Sequence, residues 1–470
     1  MIDLKSCCGL WVLASTAFVV GAARPPVEAA RPKTPVEAAR PVEVGTNSGG
    51  PDSPREDGAP APAAETVKTD GKAGQTPKSR LWPEGRPGTD APRRLTPDVA
   101  GGKSPTPLSP APVPPTIARP TDPLDLRVDE AIDVTARRVL SVDVHTPWQI
   151  GHGMLAFRKD YVLRKGGEKI SAYDWVATNP VFTSRIVDER GNVQTKQIPW
   201  FYLTKYGARP QKYTGQKYEF EGHPNQFLAF FALARIPLDF EFDIQGRKIT
   251  FGQMLHNAKM EISDREEVTW DLWAFAYYFD MNERWVNATG EPWSMERLVQ
   301  TTLKQFSATK SPCGGCHALF ALASARNAYL QAGNRLSGVW TQAHMHLEQH
   351  IALAKKQQNS DGSFSSKYFI GPQYSDEPSK RISTSGHTLE FLMMSLQQSQ
   401  LREPWVRNAV AAVSRDLIQY QKDPLEVGGM YHAVHALVLY RERTRPELVA
   451  QSREVTPASA QAEPTKTETK

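Results

Sequence analysis

A single pattern recurs from His152 almost to the C-terminal end, and its spacing limits the fold more than any other feature. His152, His223, His317, His387 and His432 are each followed at +4 by Ala or Phe and at +5 by Leu or Phe. The stretches are His152-Gly-Met-Leu-Ala-Phe, His223-Pro-Asn-Gln-Phe-Leu, His317-Ala-Leu-Phe-Ala-Leu, His387-Thr-Leu-Glu-Phe-Leu and His432-Ala-Val-His-Ala-Leu. A sixth copy, Trp270-Asp-Leu-Trp-Ala-Phe, carries Trp where the others carry His. The intervals are 71, 47, 47, 70 and 45 residues, a unit of about 46 with roughly 24 residues inserted twice. Recurrence at this period marks an architecture of stacked supersecondary units.

The apolar texture between the copies is helical. Runs at Phe227–Ile236, Trp270–Phe279, Leu298–Phe306, Ala318–Leu330, Val339–Ala354, Thr388–Gln397, Val406–Tyr420 and Tyr431–Arg441 predict helices, with Gly and Pro at the joints. Earlier helices are expected at Asp129–Leu140 and His145–Arg158. Glu291-Pro-Trp-Ser and Glu403-Pro-Trp-Val both read as helix starts with Pro at the first position, where its missing N–H costs nothing. Between residues 165 and 220 the sequence turns β-branched and aromatic, broken by Gly and Pro, and predicts a small β-rich insertion. A hairpin of about 46 residues cannot bury its apolar face alone, so hairpins must stack, and closing the stack would point the inner helix starts at one cavity. The expected fold is therefore all-α: an (α/α) toroid of about six helical hairpins over residues 126–443, with His at the mouth of five inner helices.

The flanks have a different composition. Residues 1–22 predict a secretory signal or an N-terminal anchor, ending in small residues Val20-Gly21-Ala22. Residues 23–125 hold 22 of the 37 prolines and few large apolar residues, which predicts a disordered spacer. Residues 444–470 predict a disordered tail. The expected address is secreted, periplasmic or cell envelope, with membrane contact only if the first segment stays uncleaved. A formal net charge of +5 with no basic stripe excludes the electrostatic footprint of a nucleic-acid binder. Of four cysteines, Cys7 and Cys8 would leave with a signal, so a disulfide framework is excluded and a packed core must carry the stability.

Gln358-Asn-Ser-Asp-Gly-Ser-Phe364 resembles the Gln-rich, Gly-x-aromatic motif of terpenoid cyclases and protein prenyltransferase β-subunits, whose fold is the (α/α) toroid. The Asp-x-Asp-Asp acid and Asp-Asp-x-x-Asp magnesium cluster of the cyclases are missing here, as is a residue-by-residue match to the prenyltransferase zinc ligands. Glu221-Gly-His-Pro-Asn-Gln-Phe-Leu-Ala, Pro312-Cys-Gly-Gly-Cys-His, Ser385-Gly-His-Thr-Leu-Glu and Tyr431-His-Ala-Val-His-Ala-Leu-Val-Leu-Tyr are similar to an uncharacterised bacterial secreted family labelled ADP-ribosylation factor-directed GTPase-activating protein. Neither the four-cysteine zinc module nor the catalytic arginine of such activators is recognisable in this chain.

If the repeats close, the histidines converge. His223, His387 and Glu390 are then the candidate catalytic groups, and His152, Gln226, Trp270, His317, His432 and His435 the candidate pocket. Imidazole and carboxylate at one mouth suit acid–base work or a divalent metal on a polar ligand, such as a cell-envelope polysaccharide. The opposing reading is that histidines near helix starts merely tie repeats together. Cys313-Gly-Gly-Cys316-His317 also fits covalent haem c attachment, with His317 as iron ligand. The same two thiols could instead form a local disulfide, a redox dithiol or no bond at all. Asp361, Asp376 and Glu377 lie on a Gly/Ser/Pro-rich stretch, 359–385, expected to be a long loop edging the site. A non-catalytic scaffold remains the alternative to an enzyme of the lyase or hydrolase class.

Overall fold

A computed structural model describes residues 122–187, 191, 193–212 and 219–447. The expected leader, nearly all of the spacer and the end of the tail lie outside these residues. Within them the chain forms α1 (Pro123–Ala136), α2 (Pro147–Phe157), α3 (Ala172–Ala177), α4 (Gln226–Leu233), α5 (Phe251–Glu261) and α6 (Thr269–Phe275). It continues with α7 (Met295–Gln305), α8 (Cys316–Gln331), α9 (Gly338–Lys356), α10 (Pro378–Ser395), α11 (Pro404–Gln419) and α12 (Val427–Thr444). The chain is thus mostly helical, and none of these helices is long and apolar enough to cross a membrane.

The even-numbered helices carry the repeat: α2, α4, α6, α8, α10 and α12. They pack in sequence order, and α12 then packs against α2. Every residue of α4 and of α6 is buried, and α12 is buried from Gly428 to Tyr440. A helix that is apolar all round must be enclosed by neighbours. The odd-numbered α7, α9 and α11 cover this layer, α7 and α9 packing on α8, and α11 on α1, α10 and α12.

Strand structure is limited to five two-stranded antiparallel sheets among the described residues. These are β1 (Val162–Lys165) with β2 (Glu168–Ser171), β3 (Val181–Val187) with β4 (Val193–Pro199), β5 (Phe201–Leu203) with β6 (Ala208–Pro210), β7 (Glu241–Ile244) with β8 (Arg247–Thr250), and β9 (Arg284–Val286) with β10 (Pro292–Ser294). The β-rich texture of 165–220 is therefore hairpins around α3, and two more hairpins follow in later repeats.

Three expectations change. The helix expected at Asp129 begins at Pro123, capped by Asp122, whose side chain accepts from the Leu124 N–H at 2.9 Å. Glu291-Pro-Trp-Ser does not start a helix like its counterpart before α11: Pro292–Ser294 is strand β10, and Ser294 caps α7. The reason is Asn287, whose Oδ1 accepts from Thr289 and Glu291 N–H groups and folds a hairpin ahead of the helix. The loop expected at 359–385 ends at Glu377, which caps α10; Ser383, Thr384, Ser385 and Gly386 are helical. These small residues sit where α10 meets α12, and a Cβ on Gly386 would lie 2.6 Å from Ala433 Cα. Close approach, not turn chemistry, selects them.

Candidate functional site

The repeat histidines meet. Ring centroids of His387 and His432 lie 4.0 Å apart, His317 and His432 5.0 Å, His317 and His387 5.1 Å, His152 and His432 5.3 Å, and His223 and His317 5.6 Å. All five line one cavity of about 590 Å³, together with Gln226, Trp148, Cys313, Ser383 and Glu426. The histidines do not all stand at helix starts as expected. His317 is in the first turn of α8 and His223 precedes α4, but His152, His387 and His432 lie deeper in α2, α10 and α12. Glycines in these helices make the space: a Cβ at Gly428 would strike Trp148, and one at Gly429 would strike Ser383.

Four of the five rings are anchored through Nδ1. His152 Nδ1 donates to Trp148 O at 2.6 Å and His387 Nδ1 to Ser383 O at 2.7 Å, each one helical turn back. His223 Nδ1 pairs with Glu267 Oε2 at 2.6 Å. His432 Nδ1 pairs with Glu390 Oε2 at 2.8 Å, and the second Glu390 oxygen takes His435 Nδ1 at 2.5 Å. Each bond orients its ring and leaves Nε2 for another partner, and His387 also hydrogen-bonds the Cys313 side chain. The Nε2 atoms of His317, His432 and His435 are buried without a hydrogen-bond partner.

Electrostatics keep most of these rings neutral. Burial, outweighing the Trp148 hydrogen bond, pulls His152 down to about 3. Burial and the neighbouring imidazoles hold His317 and His432 well below the usual histidine range. His435 is lowered by burial against the pull of Glu390. His387 goes the other way: burial lowers it, but Cys313, Glu390 and the Ser383 carbonyl together raise it to about 9.

Other expected site residues are placed differently. Glu390 is buried and spends both oxygens on His432 and His435, away from the cavity wall. His435 and Trp270 are also fully buried and do not line the cavity. Trp270 stacks on Trp273 at 5.1 Å, with its ring 4.8 Å from His317 and 5.2 Å from His223. It closes the gap that the missing sixth histidine leaves. Asp361 is held by Arg381 and Arg415, Asp376 is exposed, and Glu377 is the α10 cap, so none of the three edges the cavity. Gln358 donates to Gly362 O and Trp405 O, so the toroid-like motif here ties its loop to the start of α11.

Cys313 and Cys316 are free thiols, and they face different surroundings. Cys316 is buried 4.0 Å from Thr388 Oγ1, whereas Cys313 reaches the cavity. Covalent haem attachment needs both sulfurs accessible to one porphyrin edge, and this arrangement does not offer that. Residues missed in the sequence are Glu267, Glu426, Ser383 and Trp148. Glu426 caps α12 by accepting from Gly428 and Gly429 N–H groups at 2.8 and 2.6 Å, placing a carboxylate at the cavity. Nothing in its local pattern sets it apart from any other helix cap. Glu221 accepts from Asn225 and Phe227 N–H groups and fixes the start of α4 next to His223, and burial raises it to about 8.

Comparison with protein families, with curated proteins and with solved structures returns no match, so the reading of the cavity rests on its own residues.

Proposed function

We propose that residues 122–447 form an (α/α) toroid, and that its mouth is the site where an exported cell-envelope protein binds or processes a polar ligand. The toroid reading is supported by the cyclic packing of α2, α4, α6, α8, α10 and α12, with α12 returning to α2. The observation that carries the ligand reading is the set of five imidazoles lining one cavity, four of them oriented through Nδ1. The buried Nε2 atoms of His317 and His432 have no hydrogen-bond partner and belong to residues that line this cavity, where a polar ligand can satisfy them. The cavity volume falls within the range of small-ligand sites. Ligands with hydroxyl or carboxylate groups, such as a polysaccharide segment, suit a wall of imidazoles with one carboxylate at Glu426. His223, oriented by Glu267, is the group assigned to proton transfer. Glu390 acts as a positioning residue through His432. The leader-like residues 1–22 support export.

The test is a panel of neutral and uronate-containing oligosaccharides, scored for binding and for turnover, with wild type, His152→Ala and His223→Ala. We expect at least tenfold weaker binding in either variant, and a turnover loss on the order of 10²–10⁴ for His223→Ala if the site is catalytic. Loss of binding without any turnover in wild type favours a binding module over a lyase or hydrolase. Equal capture by all three folded proteins would remove the cavity as the ligand site.

A further inference from the structure

We propose that this cavity holds one borderline-soft divalent transition-metal ion, zinc or copper, on the Cys313 thiolate and the His317 and His387 imidazoles. The inference rests on the reading of the cavity as the functional site and gives that site its cofactor.

Three observations carry it. Cys313, His317 and His387 each offer one ligand atom, and these atoms lie within 4.8 Å of one another. The residues come from separate places: the turn before α8, the first turn of α8 and the middle of α10. Cys313 and His317 share one short string at the start of α8, and the fold supplies the third ligand by bringing His387 of α10 to them.

The second observation is the state of the nitrogens. His387 has Nδ1 bound to the Ser383 carbonyl and also hydrogen-bonds the Cys313 side chain, so an ion between these two ligands takes the place of that bond. His317 is 6% exposed, and its Nε2 has no hydrogen-bond partner. A buried imidazole nitrogen left alone is costly, and a metal ion satisfies it. The bond from His387 Nδ1 to the Ser383 carbonyl is the outer-sphere arrangement that metal-binding histidines use.

The third is the backbone. Cys313 has φ 52°, Gly314 φ 62° and Gly315 φ 81°, three successive left-handed residues. Any side chain at Gly314 would strike Tyr368, and one at Gly315 would strike Phe306. A non-glycine residue held in this conformation is strained, and such strain clusters at ligand clamps. Here it sets the half-buried Cys313 at the cavity wall.

Two imidazoles and one thiolate form a set that selects zinc or copper over magnesium or calcium, which require oxygen donors. Binding releases to solvent whatever protons the Cys313 sulfur and the ligating His387 nitrogen carry, because both must be deprotonated to ligate. With three protein ligands the fourth corner faces the cavity and its ligand, which is the arrangement of a catalytic rather than a structural zinc site.

The test uses the full chain, stripped with chelator and titrated with Co²⁺ as a spectroscopic probe, alongside metal analysis of the protein as isolated from cells. We expect one Co²⁺ per chain with a thiolate-to-cobalt charge-transfer band, and zinc or copper in the isolated protein, copper showing its own thiolate band. Cys313→Ser removes the charge-transfer band, whereas Cys316→Ser keeps it. His317→Ala and His387→Ala each weaken Co²⁺ by at least the roughly 10–100-fold that loss of an outer-sphere partner costs. Failure of the wild-type chain to take up stoichiometric Co²⁺, or a charge-transfer band surviving in Cys313→Ser, overturns the site. Cys313→Ser is nearly isosteric, so the test does not depend on the alanine variants folding. Oligosaccharide capture without metal uptake sinks the ion and leaves the pocket; metal uptake without capture of any oligosaccharide does the reverse.

Discussion

Replacing Glu390 tests the organisation of the cavity from behind its wall. Its two oxygens take the Nδ1 hydrogens of His432 and His435, and all three side chains are essentially without solvent contact. Glu390→Ala leaves two buried N–H donors unpaired. Moving either proton to Nε2 brings no relief, because neither Nε2 has an acceptor. At about 1–3 kcal/mol for each orphaned buried group, the expected loss is about 2–6 kcal/mol. That is a large part of the 5–15 kcal/mol typical of a folded domain. Glu390→Gln offers one acceptor and one donor, so one imidazole keeps its Nδ1–H bond and the other must switch tautomer. The expected loss is then about half as large, about 1–3 kcal/mol. Urea unfolding at neutral pH measures both losses, and long-range ¹⁵N–¹H correlations in the histidine rings report the tautomers. A Glu390→Ala protein within about 0.5 kcal/mol of wild type, the scatter of an ordinary surface substitution, would refute this reasoning.

Acid should work against the neutral, buried His152. His152 is lowered to about 3 from an ordinary value near 6.5, so the unfolded chain takes up its proton first, and stability present above pH 6.5 is lost as pH falls toward 3. At about 1.4 kcal/mol per unit this one group accounts for up to about 5 kcal/mol, opposed over the same fall by buried Glu221 and Asp271, whose raised carboxyls gain stability. Wild type should therefore lose more, or gain less, than His152→Gln between pH 7 and 5, and equal urea-titration pH profiles would contradict it. Gly386→Ala puts a methyl group 2.6 Å from Ala433 Cα and should cost about 1–3 kcal/mol by thermal or urea unfolding; a neutral result would mean that α10 and α12 are not so close. Arg381→Ala takes from buried Asp416 the more buried of its two arginine partners, leaving only the half-exposed Arg415 at 3.0 Å, and should cost about 1.5–3 kcal/mol, checked by the same unfolding curves.

Much of the fold was legible because the inner helices are apolar on every face. The runs that became α4, α6, α8 and α12 could be read from composition and period alone, and the His-to-His interval exposed the repeat. Legibility failed where a residue's role depends on a distant neighbour. Ser383 and Ser385 read as loop because small polar residues disfavour helices, yet they are helical: Ser383 lies against Gly429 of α12, and Ser385 accepts from the Phe364 N–H. Glu291-Pro-Trp-Ser read as a helix start because Asn287's hairpin bonds lie outside the motif. In the site, the histidines announced themselves by repetition. Glu267 and Glu426 did not, since each is one carboxylate among many until the fold sets it beside His223 or α12. Cys313 was visible only as half of a C-x-x-C-H string. Its separation from Cys316 depends on three left-handed residues that the sequence only partly signals through Gly314 and Gly315.

Ring-to-ring NOEs, in protein labelled only at histidine side chains, measure the convergence itself. Cross-peaks joining His387 to His432, His432 to both His317 and His152, and His317 to His223 are predicted by centroid separations of 4.0 to 5.6 Å. A folded protein whose repeat histidines show only intraresidue peaks would contradict the shared cavity.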